Sequence, residues 1–74
     1  MKVLYRSSEE NSAVVLGDSG ALFLLTKSRV KELDPILFAT WMASVVGLDA
    51  GVTEEGWQWL QAHMHLVRIE TPLN

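Results

Sequence analysis

The side chains of this sequence that have the means to do chemistry are few: two histidines, two pairs of adjacent glutamates and one serine between glycines. His63 and His65 form a His-x-His pair. On a strand, alternate residues point to one side, and both rings could share a metal ion. On a helix, at about 100° per residue, they point about 200° apart and could not. A complete site would need carboxylates from Glu54, Glu55, Asp49 or Glu70, because the chain has no other histidine and no cysteine. The segment before them reads as helix, so two ordinary, partly exposed histidines are expected. Glu54 and Glu55 could form a general acid/base pair, but helical neighbours diverge by about 100°. The favourable field of a helix N-terminus already accounts for both. Glu9 and Glu10 fall in a polar connection.

Gly17, Asp18, Ser19 and Gly20 make a Gly-Asp-Ser-Gly run. It resembles the short motif around the nucleophile of chymotrypsin-like serine proteases, over these four residues and no further. The next residue is Ala21, where that family has another glycine, and those enzymes are two β-barrels several times this length. Neither histidine has an aspartate at an informative position. Two glycines around two small polar residues are strong hairpin chemistry, since glycine tolerates positive φ. Nor is this a phosphate-binding loop, because it joins two strands rather than opening a helix. The expectation is a non-enzymatic protein with no catalytic residue, no cofactor and no metal.

Seventy-four residues make a single domain, 1–74. A chain of this size buries only about 60–65% of the surface its unfolded form exposes, so partners help to stabilise it. Without cysteine there are no disulfides and no thiolate zinc sites. A hydrophobic content of 49% against 20% charged residues is far from the signature of disorder. The longest apolar stretch, Ile36 to Leu48, is interrupted by Thr40, Ser44 and Gly47 and falls short of the roughly 20 residues a membrane span needs. The first ten residues meet charge at once and offer no signal-peptide core. A cytoplasmic protein without a membrane partner is expected. Net charge is −3, with six basic against nine acidic residues. Lys27, Arg29 and Lys31 form the one basic cluster, read as a solvated turn or helix start.

Several elements must position these side chains. Lys2 to Arg6 alternates as a first strand. Ala13 to Leu16 is a short β-branched run, and Ala21 to Thr26 returns from the glycine turn as a third strand. Thr26 or Ser28 could cap a helical turn through Leu33, and residues 27–33 are left open between helix and loop. Asp34 and Pro35 start a helix that should run to about Val46 and stop at Gly47. Thr53 caps a second helix, with Val52 and Trp57 placed as a hydrophobic staple. Leu66 to Glu70 reads as a final strand, halted near Pro72. The fold class is α+β: a small antiparallel sheet of three to four strands (β-β-β-α-α-β) with two helices packed on one face.

The two helices carry more apolar surface than so small a sheet can cover. On the second, Trp57, Leu60 and Met64 share a stripe about 60° wide, and Trp59 lies about 130° from its centre. That places Trp57 in the core and Trp59 outside it. On the first, Leu37, Phe38, Trp41, Met42, Val45 and Val46 cover more than half the circumference. Tryptophan and methionine are enriched at interfaces. Trp59, Trp41, Met42 and Phe38 are therefore the expected partner-binding anchors of a protein-protein interaction module that modulates or inhibits a larger partner. A homodimer is the nearest assembly. Small acidic domains without cysteine are common among the accessory proteins of bacteria and phages, including inhibitors of host defence systems, and a protein of that kind is expected. The alternative is a small DNA-binding transcriptional regulator using residues 36–65 as a helix-turn-helix. Its recognition helix would lack lysine and arginine and would begin with two carboxylates, which opposes an approach to phosphates.

Overall fold

The glycine-flanked turn at residues 17–20 organises the first half of the chain. In the computed structural model, which describes residues 1–45 and 51–68, Gly20 holds φ at 91°. Its N–H donates to the Gly17 carbonyl at 3.0 Å, and the Gly17 N–H donates to the Ala21 carbonyl at 2.8 Å. An L side chain resists that left-handed backbone, so the glycine fixes where β2 (Ser12–Leu16) folds back onto β3 (Leu22–Leu25). β1 (Lys2–Ser7) pairs antiparallel with β2, with a bulge between Val3 and Tyr5 that sets Leu4 and Tyr5 against Val14.

The fourth strand lies where helix and loop were both open. β4 (Val30–Leu33) pairs antiparallel with β3, giving a sheet of order β1-β2-β3-β4. The cause is local. Pro35 disfavours helical backbone at Asp34, so the residues before it extend. The Thr26 N–H and hydroxyl both donate to the Arg29 carbonyl, at 2.9 and 3.4 Å, closing a four-residue turn. The strand expected from Leu66 to Glu70 does not form over its described part. Leu66 ends a short 3-10 turn (Met64–Leu66), and Val67 and Arg68 follow without strand pairing. Leu66 and Val67 pack on the core beside the first helix, tied by the Arg68 N–H to the Thr40 hydroxyl at 2.9 Å. Residues 69 and 70 of that expectation lie outside the described residues.

Two helices cover one face of the sheet. α1 (Pro35–Val45) starts where expected: an Asp34 carboxylate oxygen accepts from the Ile36 N–H at 2.9 Å. Its expected end at Val46 and Gly47 lies outside the described residues. α2 (Glu54–Ala62) begins at Thr53, whose hydroxyl accepts from the Gly56 N–H at 2.9 Å and donates to the Val3 carbonyl at 2.6 Å. One threonine thus caps the helix and fastens it to β1. The segment around it also closes the outer edge of β1. Val52 bridges Tyr5, the Arg6 N–H donates to the Gly51 carbonyl, and the Thr53 N–H donates to the Leu4 carbonyl.

The core lies between sheet and helices. Leu4, Val14 and Leu22 from the strands meet Phe38, Ala39 and Met42 of α1 and Trp59 and Leu60 of α2. Gly56 makes the close approach possible. A Cβ there would collide with the Leu4 carbonyl, so α2 rests with bare backbone on β1.

Candidate interaction surface

The second helix is rotated from the sequence-based expectation. Trp59 is 7% exposed and belongs to the core, whereas Trp57 is 41% exposed. The reason is Gly56. Only the face that carries it can reach β1 at backbone distance, and Leu60, His63 and Trp59 share that face. Met64 does not extend any stripe of α2, because the helix stops at Ala62.

The four expected anchors divide accordingly. Phe38, Met42 and Trp59 are buried in this protomer and offer a partner no direct surface. Trp41 alone keeps its exposure, at 40%, and Leu37 one turn before it is 69% exposed. Residues four apart lie one above the other on a helix. Leu37 and Trp41 therefore form an apolar ridge along the outer flank of α1. Leu37 is not among the anchors that the sequence points to. Its signal was present in the i, i+4 spacing from Trp41, but the apolar coverage of α1 is too wide to show which flank stays outside.

The buried aromatics hold the exposed one. The Trp41 ring meets the Tyr5 ring edge-on, with centroids 4.9 Å apart at 88°, and stacks on Phe38 at 6.0 Å. Phe38 leans on Trp59 at 5.4 Å, and Trp59 stacks on His63 at 4.3 Å. His65 continues the row at 6.0 Å from His63. A chain of rings thus runs from β1 through both helices to the 3-10 turn. Such pairs favour offset and edge-to-face arrangements. A tryptophan clamped on two sides loses little rotamer freedom when a partner covers it.

The histidines differ from the helical expectation of rings about 200° apart. Because α2 ends at Ala62, a turn swings His65 back beside His63, and the rings stack. The His63 Nδ1 donates to the Trp59 carbonyl at 2.7 Å, which leaves Nε2 as the unprotonated nitrogen of the neutral ring. Among the described residues, no three of histidine, aspartate and glutamate converge on one point. Asp49 and Glu70, named above as possible ligands, lie outside them. The Gly-Asp-Ser-Gly run is the tight hairpin of β2 and β3, with Ser19 exposed at its tip. Glu54 and Glu55 are exposed in the first turn of α2, and Gln58 and Gln61 share its solvent side. Among the described residues, no helix is long and apolar enough to cross a membrane. No family model, curated protein or solved structure matches the chain.

Proposed function

We propose that this domain is a non-enzymatic protein-protein interaction module that modulates or inhibits a larger partner, with Trp41 as its anchor and Leu37 beside it. The observation that carries this reading is the placement of Trp41 on α1. It is a large apolar side chain left open to solvent and braced by Tyr5 and Phe38. Tryptophan is among the residue types most enriched at the side chains that dominate binding energy. Phe38, Met42 and Trp59 contribute from beneath by fixing the position of α1. The role fits an accessory protein of a bacterium or phage that acts in the cytoplasm by covering a surface of its target.

Self-association belongs to the same reading. Trp57 is exposed on α2, on a different helix from Trp41, and we assign it to a two-fold contact between copies that leaves the α1 ridge free. Light scattering over a concentration series should approach twice the 8.3 kDa protomer mass, and Trp57→Ala should return the monomer. A monomer at every concentration removes the dimer. For the larger partner, the immobilised domain should capture a protein that Trp41→Ala fails to retain. Loss of an anchor of this kind weakens binding by about 2 kcal/mol or more, a factor of about 30. Capture unchanged by Trp41→Ala refutes the assignment.

A further inference from the structure

We propose that the outer edge of β4 takes up an extended segment of a partner protein, in which two acidic residues flank an apolar one, as an added strand beside Arg29, Val30 and Lys31. This rests on the reading of the domain as a recognition module and adds a second place of contact with its own chemistry.

The two edges of the sheet differ. That of β1 is closed by Gly51, Val52 and Thr53. β4 is last in the strand order, and among the described residues nothing pairs with its outer side. Its outward groups follow from the register. The Thr26 N–H donates to the Arg29 carbonyl, so 26 and 29 form a hydrogen-bonded pair. In an antiparallel ladder such pairs recur at every second residue. Lys31 opposite Leu24 and Leu33 opposite Leu22 are the next two. Val30 and Glu32 therefore direct their N–H and C=O groups away from β3. Val30 is 70% exposed. An added strand would satisfy these groups as a fifth member of the sheet, the β-augmentation mode of peptide recognition.

Charge decides what kind of strand fits. Lys27, Arg29 and Lys31 are half of the six basic residues of a chain whose net charge is −3. All three are exposed, and among the described residues no ion pair engages them. Side chains alternate along a strand, so Arg29 and Lys31 project on one side of the sheet and Val30 on the other. A strand laid antiparallel against β4 presents residues two apart to Arg29 and Lys31, and the residue between them to Val30. Acidic, apolar, acidic is the complementary order, because opposite charges directly across a ladder attract and like charges repel.

A second copy of β4 does not fit. In a two-fold antiparallel pair each residue faces one of the same parity, and the axis passes through a residue and its own image. With the axis at Val30, Arg29 faces Lys31; at Lys31, lysine faces lysine. At Glu32, glutamate faces glutamate; at Leu33, Glu32 faces Asp34. Every symmetric register sets like charges opposite each other, so the edge rejects its own image while remaining open to an acidic strand.

The test uses the full chain labelled with 15N and two end-capped seven-residue peptides. One carries glutamate, valine, glutamate at its centre between threonines and valines. The other carries lysines in place of the glutamates. The acidic peptide should shift amide resonances of residues 27–33 and slow hydrogen exchange at Val30 and Glu32. The basic peptide should bind at least about tenfold more weakly, and added salt should narrow the difference. The doubly reversed variant Arg29→Glu, Lys31→Glu should exchange the two preferences. Val30→Pro removes an outward donor without touching the ladder to β3 and should abolish binding. If that variant does not fold, the charge reversal on two exposed side chains decides alone. Equal response to both peptides, no response in excess peptide, or shifts confined to other strands would overturn the proposal. So would shifts at residues 27–33 produced by a single-stranded oligonucleotide and not by the acidic peptide. Trp41→Ala must leave the peptide response intact. Peptide binding with partner capture insensitive to Trp41 would sink the α1 assignment alone, and the converse would sink the edge alone.

Discussion

Replacing Gly56 by alanine probes the contact on which the whole arrangement rests. In an unencumbered helix interior the change favours folding by roughly 1 kcal/mol, since glycine has the greater backbone freedom to lose. Here the added Cβ meets the Leu4 carbonyl, which belongs to the β1 backbone. Neither group can rotate aside, so α2 must lift from the strand. A lift of about 1 Å costs the opened contacts a quarter to a half of their dispersion attraction, and these include Trp59 and Leu60 on the same helix face. Overpacking with no side chain free to yield costs about 3–4 kcal/mol, at or slightly above the usual range. After the helix-propensity credit, the net loss is about 2–3 kcal/mol. A domain of this length has only about 4–11 kcal/mol in total, so the melting temperature should fall by roughly 10–20 °C. Thermal and urea unfolding followed by far-UV circular dichroism measure this. Gln58→Ala, on the exposed side of the same helix, serves as the control and should change stability by less than about 0.5 kcal/mol. A Gly56→Ala protein as stable as the parent, or more so, would refute the backbone contact and the rotation of α2 built on it.

The same rotation sets the two tryptophans of α2 apart. Trp59→Ala should lose about 3–5 kcal/mol, a large share of the total, and Trp57→Ala under about 1 kcal/mol. Urea titrations that reverse this order would restore Trp57 to the core. Thr53→Ala removes the acceptor for the Gly56 N–H and the donor to the Val3 carbonyl. It should cost about 1–2 kcal/mol, with Thr53→Ser recovering most of the loss because it keeps the hydroxyl. A serine variant no better than alanine would remove the bridging role of that oxygen.

Much of the fold was legible because its signals are local. Alternation in β1, the paired glycines at 17 and 20, Asp34 before Pro35 and Thr53 before two glutamates each act within a few residues. β4 leaves little trace in the sequence because it is four residues long with two charges inside it. Its conformation is decided by pairing with β3 and by the proline that follows, not by an apolar run. The largest apolar side chains of α2 do not reveal its orientation. Its polar residues held the answer. At about 100° per residue, Glu54, Gln58 and Gln61 cluster within about 60°, and the direction opposite to them passes between Gly56 and His63. Of the site, the presence of an aromatic surplus on α1 was legible. Which of its rings stays outside was not, because Phe38 and Trp41 differ only in what packs against them, Trp59 on one side and Tyr5 on the other.

Recognition through the α1 ridge is tested most directly by a photo-crosslinking amino acid placed at position 37, whose side chain is largely exposed and whose replacement leaves the core untouched. The comparison is the same group at position 9, in the exposed turn between β1 and β2. Irradiation in the cells that make the protein should yield a discrete heavier adduct from position 37, none from position 9, and loss of the adduct when Trp41→Ala is added. No adduct from position 37, or equal adducts from both positions, would contradict the assignment of α1 as the surface by which this domain acts.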